Sequence, residues 1–443
     1  MNAVLATDSP SKSSFNIITI IILEGKVLSE DFRAKVNSRI FQLRDSQNKL
    51  VYQRLQETFT GFLGYTFWRD LSSTFEIGNH VRDYDHVEED LTLPNPCYEE
   101  DLLRINGPLL TVPWKEDQSP WEILIVQNYR ERNDESGKDQ TALIVRTHHC
   151  LMDGYSIVEC WEILSGCGRI TMPQMKIERS PWDKLMLLCK GPFDAADALL
   201  NSLDGQRCLQ LHDRQRYFVT VSTPDFSISS VKKIKNKFGV SYSAVVFAAF
   251  TGGLLRVMKE AGKPIPDQLA TYMAWPKPNH PGRASNHAIC VVCNWRVKSG
   301  SAVQRLVEIS REMEALRYSS LPLVLDMFLL GYSFLPRRLV GFLFTKLTLT
   351  GGSILASSFP VSDKIFHFDE VKVRSTITSI STLGDKIGIS LAVAGSSGKT
   401  RLVVTIDKRL LPREDLQRKL GGYIMDEIDN YLREAENRNY GTN

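Results

Sequence analysis

Cysteine is thinly spread in this chain, with eight residues in 443 and no clustering. That scatter excludes the disulfide framework of a small secreted domain and reads as reduced thiols in a large cytosolic protein. Cys290-Val-Val-Cys293 is a lone pair inside an apolar, strand-like run. Zinc needs four ligands, and no second pair supplies the rest, so two packed thiols and no metal are expected there. Charge of one sign is also missing. The formal net charge is +3, and no basic stripe with interleaved aromatics runs along the chain, which excludes nucleic acid as a partner. Nor is there an unbroken apolar run of the roughly 18 residues that a spanning helix requires. The Ser-rich N-terminus, residues 1–14, reads as disordered rather than as a secretory signal, and Ile17 to Leu23 reads as a buried first strand.

What remains is the composition of a globular protein, 43% hydrophobic and 24% charged. The chain is too long for one ordinary domain. Strand patterns come at Phe15–Leu23, Trp121–Gln127, Leu143–Thr147, Ala288–Val297, Ile387–Ala394 and Arg401–Thr405. Helical patterns come at Ser29–Leu43, Ile157–Leu164, Ser227–Phe238, Ser243–Lys259, Ala302–Leu316 and Pro412–Glu434, the last with Pro412 at a first helical position. Strands and helices mixed at long intervals indicate an α/β fold. Residues 15–171 are read as a first lobe, 172–219 as a linker, and 220–443 as a second lobe. The polar stretch from Asp134 to Asp139 reads as a solvated hairpin tip.

The most informative stretch is His148-His149-Cys150-Leu151-Met152-Asp153-Gly154, which reads H-H-x-x-x-D-G. Chance produces that pattern in roughly one such chain in two thousand. It joins the end of a strand to the start of an apolar-faced helix. An imidazole in such a loop can take a proton from a hydroxyl near neutral pH and return it to a leaving group. Asp153 is expected to brace the loop through a distant Arg or through backbone N–H groups. Gly154 would allow a positive φ or a close approach to the backbone. The competing reading is a polar loop with two hydrogen-bonded histidines. Metal binding is not expected, because adjacent side chains on a strand point to opposite faces. Cys150 diverges from His149 for the same reason and reads as a small buried hydrophobe.

Leu321 to Leu355 is dense in Leu, Phe and Val but is interrupted by Asp326, Pro336, Arg337, Arg338 and Lys346. Two apolar helices around Pro336 would either line a tunnel for an acyl chain or lie in a membrane interface with the Arg pair at the headgroups. Plain core helices are the alternative.

With these landmarks in place, the chain resembles the wax ester synthase/diacylglycerol acyltransferase family. That family belongs to the chloramphenicol-acetyltransferase-like superfamily of CoA-dependent acyltransferases and condensation domains. The likeness runs from about Phe15 to Leu432. Besides the intact H-H-x-x-x-D-G, it rests on Phe75 to Val81, on Ser119-Pro120-Trp121-Glu122, and on Ser285-Asn286 before a central strand. It also rests on the paired helices Val231–Gly239 and Ser243–Met258, and on Ala356–Val361. Two departures stand out. The family's Asn-Asp pair falls on Ser243-Ala244, and its late Ser-Asn-Val-Pro-Gly becomes Ser357-Ser358-Phe359-Pro360-Val361.

The resemblance implies two similar lobes, each a mixed sheet flanked by helices, with an active-site tunnel between them. It implies His149 as general base in mid-tunnel, His148 behind it, and Asp153 and Gly154 as structural supports. Asn286 and Ser358 become candidate oxyanion donors, and Trp121 a candidate substrate contact. The implied reaction joins acyl-CoA, a substrate rather than a cofactor, to a long-chain fatty alcohol or diacylglycerol. Peripheral association with endoplasmic reticulum membrane or lipid droplets follows from such substrates. Two alternatives stay open: a lipid-binding protein that has lost turnover, and an acyltransferase for a small polar or phenolic acceptor.

Overall fold

The computed structural model describes residues 8, 9, 13, 15–132, 137–166, 180–204, 209, 217–298, 300–348, 352–361, 365–382 and 387–440. Cys167, Cys208, Asp134 to Ser136 and much of the 172–219 linker lie outside the described residues.

Two mixed sheets organise the chain. The first runs in the order His367–Phe368, Val371–Ile380, Asn16–Leu23, Gln140–His148, Trp121–Tyr129, Val81–Asp83. Its central strand, Asn16–Leu23, is apolar on both faces because it pairs on both edges and is covered above and below. The second sheet runs Ala288–Arg296, Gln268–Pro276, Ile354–Val361, Ile389–Ser396, Lys399–Asp407, Phe218–Ser222. Ile354–Val361 pairs in parallel with both of its neighbours. The buried helix Tyr242–Glu260 packs on this sheet and against the long C-terminal helix Glu414–Tyr440.

Val371–Ile380 follows Ile354–Val361 in sequence, yet it pairs with Asn16–Leu23 in the first sheet. The chain then returns to the second sheet at Ile389. Residues 365–380 therefore cross from the second half of the chain into the first lobe, a swap that a linear division at residue 220 does not contain.

Local chemistry accounts for the element ends. Asp153 caps the helix Gly154–Ser165 by accepting the Ser156 N–H at 2.9 Å, and Gly166 ends it at φ +77°. Ser241 caps Tyr242–Glu260 by accepting the Ala244 N–H at 3.1 Å, so that helix starts soundly without the Asn-Asp pair. The C-terminal helix begins at Glu414, which leaves Pro412 ahead of the helix rather than at its first position. Cys290 and Cys293 face opposite sides of one strand; Cys293 joins the second-lobe core while Cys290 faces a cavity. Burial pushes both thiols up to about 12.

Within residues 1–14, positions 8, 9 and 13 are described. Asp8 and Ser13 are buried, and Asp8 lies 3.1 Å from His148 Nε2.

Candidate active site

The register of the first sheet sets the position of the motif. Asn16 pairs with His148, so the next residue along, His149, donates its N–H to the Phe15 carbonyl at 2.6 Å. The two imidazoles then diverge as strand geometry requires. His148 is buried: its Nδ1 accepts the Cys150 N–H at 3.1 Å, which leaves Nε2–H to donate to Asp8. His149 faces a cavity of about 130 Å³ between the lobes. Asn286, Tyr272, Ser357, Leu325, Leu329 and Phe344 share that lining, together with Phe15 and Ser381.

Protein surrounds His149 except on the cavity side. Burial lowers its pKa from the ordinary 6.5, against the opposing pull of the Asp153 charge and of a hydrogen bond to its own main-chain carbonyl. The ring is therefore neutral at pH 7, as a general base must be.

Asp153 does not pair with an arginine among the described residues. Its Oδ1 accepts the Ser156 N–H and lies 3.4 Å from His280 Nε2, and its Oδ2 accepts the His287 N–H at 2.7 Å. Burial opposes its charge, but hydrogen bonds from His280, Ser156 and His287 outweigh that and hold the carboxyl below its usual range. The Asp153 N–H donates to the Ser285 carbonyl at 3.0 Å, and Ser156 Oγ lies 2.9 Å from the same oxygen. The loop between Gln268–Pro276 and Ala288–Arg296 thus clamps the motif from the second lobe. The sequence reading missed His280 and His287. Their only signal was two histidines within the ten residues before Ala288–Arg296, the edge strand of the second sheet.

Gly154 is not in the left-handed region. Its reason is a close approach: a Cβ there would lie 2.8 Å from a ring carbon of Phe359.

Of the weaker candidates, one enters the site. Asn286 brings its amide nitrogen to 3.0 Å from His149 Nδ1. Ser358 is exposed, because side chains alternate along its strand; Ser357 is the hydroxyl that faces the cavity. Trp121 is not on this cavity. It stacks on His80 at 4.7 Å, donates Nε1–H to the Leu55 carbonyl, and lines a separate chamber beneath the first sheet.

The apolar 321–355 region divides between two duties. Leu325, Leu329 and Phe344 face the His149 cavity, while Met327, Phe328, Phe334 and Phe342 are exposed. Arg337 is engaged rather than free for headgroups, since its N–H and guanidinium donate to the carbonyls of Gly64 and Asp8. Among the described residues, no single helix is long and apolar enough to cross a membrane.

These lobes and their shared cavity have the chloramphenicol-acetyltransferase-like fold of acyltransferases and condensation domains. Neither a family model nor a curated protein sequence matches the chain. Solved structures do. A wax ester synthase/diacylglycerol acyltransferase from Marinobacter aquaeolei VT8 superposes with a TM-score of 0.61 at 14% identity, over 98% of this chain and 97% of that one. A trichothecene 15-O-acetyltransferase from Fusarium sporotrichioides gives 0.63 at 10% identity, over 97% and 94%. The first condensation domain of the calcium-dependent antibiotic synthetase gives 0.59 at 11% identity, over 97% and 93%.

Proposed function

We propose that the protein is an acyl-CoA-dependent O-acyltransferase that esterifies a long-chain fatty alcohol or diacylglycerol. The observation that carries this reading is that His149 faces an interlobe cavity whose walls include Leu325, Leu329 and Phe344.

One proton decides how His149 acts. For Nε2 to be the base, Nδ1 must carry the hydrogen. An Asn286 N–H aimed at Nδ1 opposes it. Rotating the Asn286 amide by 180° brings Oδ1 to Nδ1 and loses only a 3.4 Å contact from the Ala288 N–H, which is longer than an ordinary hydrogen bond. Asn286 then accepts from Nδ1–H, and Nε2 is free to take the acceptor's hydroxyl proton. The alkoxide oxygen attacks the thioester carbonyl. The tetrahedral oxyanion collapses, the C–S bond breaks, and the imidazolium returns its proton to the CoA thiolate. No acyl-enzyme is required, since both substrates meet in one cavity. Ser357 takes the place of Ser358 as candidate oxyanion donor.

We also propose that the enzyme works peripherally on lipid, at endoplasmic reticulum membrane or lipid droplets. An exposed apolar face supports this. The hairpin Glu57–Phe62/Tyr65–Asp70 holds Leu63 at its tip at φ +47° with 81% of its surface exposed, an unusual conformation for a bulky residue. The same tip is tied through Gly64 to Arg337, three residues from Phe334, which is 76% exposed. Helix Leu321–Tyr332 leads from this face to the His149 cavity.

The test is ester formation from labelled acyl-CoA with long-chain alcohols or diacylglycerol. Ester is expected from wild type and not from His149→Ala. No ester from any of these acceptors, or equal rates from both proteins, would overturn the reading.

A further inference from the structure

A second cavity lies beside the one that His149 faces. A chamber of about 230 Å³ lies between the first sheet and the helix Gly154–Ser165. Ile157, Trp161, Trp121, Met152 and Val145 form much of its wall. The Thr19 and Thr378 hydroxyls on its sheet side lie 3.3 Å apart and bond one another. Glu162 is the one carboxylate on the lining.

Among the described residues, Phe359 is the one common to this chamber and to the His149 cavity. Three further features converge on it. The pairing of Ile354–Val361 with Ile389–Ser396 shifts register between Ser358 and Val361, the kind of break that re-aims a side chain. The ring is buried against Gly154, where a Cβ would meet it at 2.8 Å. Phenylalanine also stands here where the family pattern has valine, so the partition is bulkier than the pattern calls for.

Volume shows why the partition matters. At roughly 10–15 Å³ for each water-sized group, the 130 Å³ around His149 has room for about ten such groups. A sixteen-carbon chain exceeds that; the two spaces together hold it with its carbonyl.

We propose that the chamber beneath the first sheet is a second binding site, for the distal hydrocarbon of a long-chain substrate, and that Phe359 sets chain length by controlling access to it from His149. The proposal rests on the acyl-transfer reading for the identity of the chain, but the chamber's occupancy can be measured without turnover. Trp121 and Trp161 on the wall report it directly.

The experiment uses the full chain and saturated sixteen-carbon fatty acids brominated either near the carboxyl or near the methyl end. Bromine quenches tryptophan on contact. Quenching by the methyl-end probe is expected, with little from the carboxyl-end probe, and Trp161→Phe should reduce it. Phe359→Val, confirmed folded by its melting temperature, should raise the hexadecanoyl-to-hexanoyl transfer ratio at least fivefold. Ile157→Phe, which fills the chamber, should lower that ratio. Equal quenching by both probes, or none from the methyl-end probe in wild type and Phe359→Val alike, overturns the proposal. So does an unchanged chain-length ratio in a folded, active Phe359→Val protein. Methyl-end quenching in a protein that forms no ester supports the chamber and overturns the acyl-transfer reading alone.

Discussion

The Asn286 side-chain amide lies 3.0 Å from Nδ1 of His149, across the junction of the two lobes. His149 and Asn286 thus come from different lobes, and the loop around residues 280–287 reaches both the His149 ring and Asp153. Replacing Asn286 with Ala should lower kcat more than it raises KM. A neutral hydrogen bond contributes about 1 kcal/mol, which corresponds to roughly a fivefold loss in rate. His149→Ala should lose at least about 100-fold. Steady-state kinetics on both variants measures the difference, and equal losses would show that Asn286 does more than hold the ring.

The pH profile follows from the burial of His149. Its folded pKa is lowered from 6.5, so the acid limb of kcat/KM should have its midpoint below that value. The linked stability has a definite sign. The neutral buried ring contributes fully above the unfolded value of 6.5, and that contribution declines as pH falls from 6.5 through the folded pKa. Urea denaturation of wild type and His149→Phe between pH 5 and 8 measures it. The wild-type protein should lose stability toward pH 5 more steeply than the variant.

Gly154 and Phe359 should behave as a coupled pair. Gly154→Ala forces a methyl group against the Phe359 ring and is expected to cost about 1–3 kcal/mol, the range for overpacking. In a Phe359→Val background the same change should cost less than half as much. A double-mutant cycle on melting temperature checks this, and additive costs would mean that the two do not press on one another.

Asp8 accepts a hydrogen bond from His148 in the motif. Asp8→Ala leaves the buried Nε2–H of His148 without its acceptor, which is expected to cost about 1–3 kcal/mol. Thermal unfolding should show a lower midpoint for Asp8→Ala, and a smaller drop for Asp8→Asn, which keeps an acceptor.

The exposed apolar face makes a prediction about lipid. Wild-type protein should float with phosphatidylcholine vesicles. Full burial of an apolar side chain contributes about 1.5–3 kcal/mol, so the double variant Leu63→Ser/Phe334→Ser should bind at least about tenfold more weakly. Transfer to a soluble short-chain alcohol should be unaffected, since neither residue lines the His149 cavity.

Much of the site was legible in one dimension. Two histidines at a strand end must diverge, because alternation is local geometry, and the sequence alone therefore assigned His149 and His148 to different surroundings. The α/β class is local in the same sense: it follows from residue type, spacing and period. What the sequence could not decide depends on partners far along the chain. His287 and Asn286 lie 134 and 137 residues from the groups they bond, and Asp8 lies 140 from His148. The choice of Ser357 over Ser358 turned on which face of Ile354–Val361 meets the cavity, and Trp121 fell to a different chamber because its strand's facing side chains lie under the first sheet. Val371–Ile380 joined the first lobe because Asn16–Leu23 had an open edge for it. Local propensity carries no record of which edge a strand will find, nor of where a ring such as Phe359 comes to rest. Those are settled by pairing and packing across the whole chain.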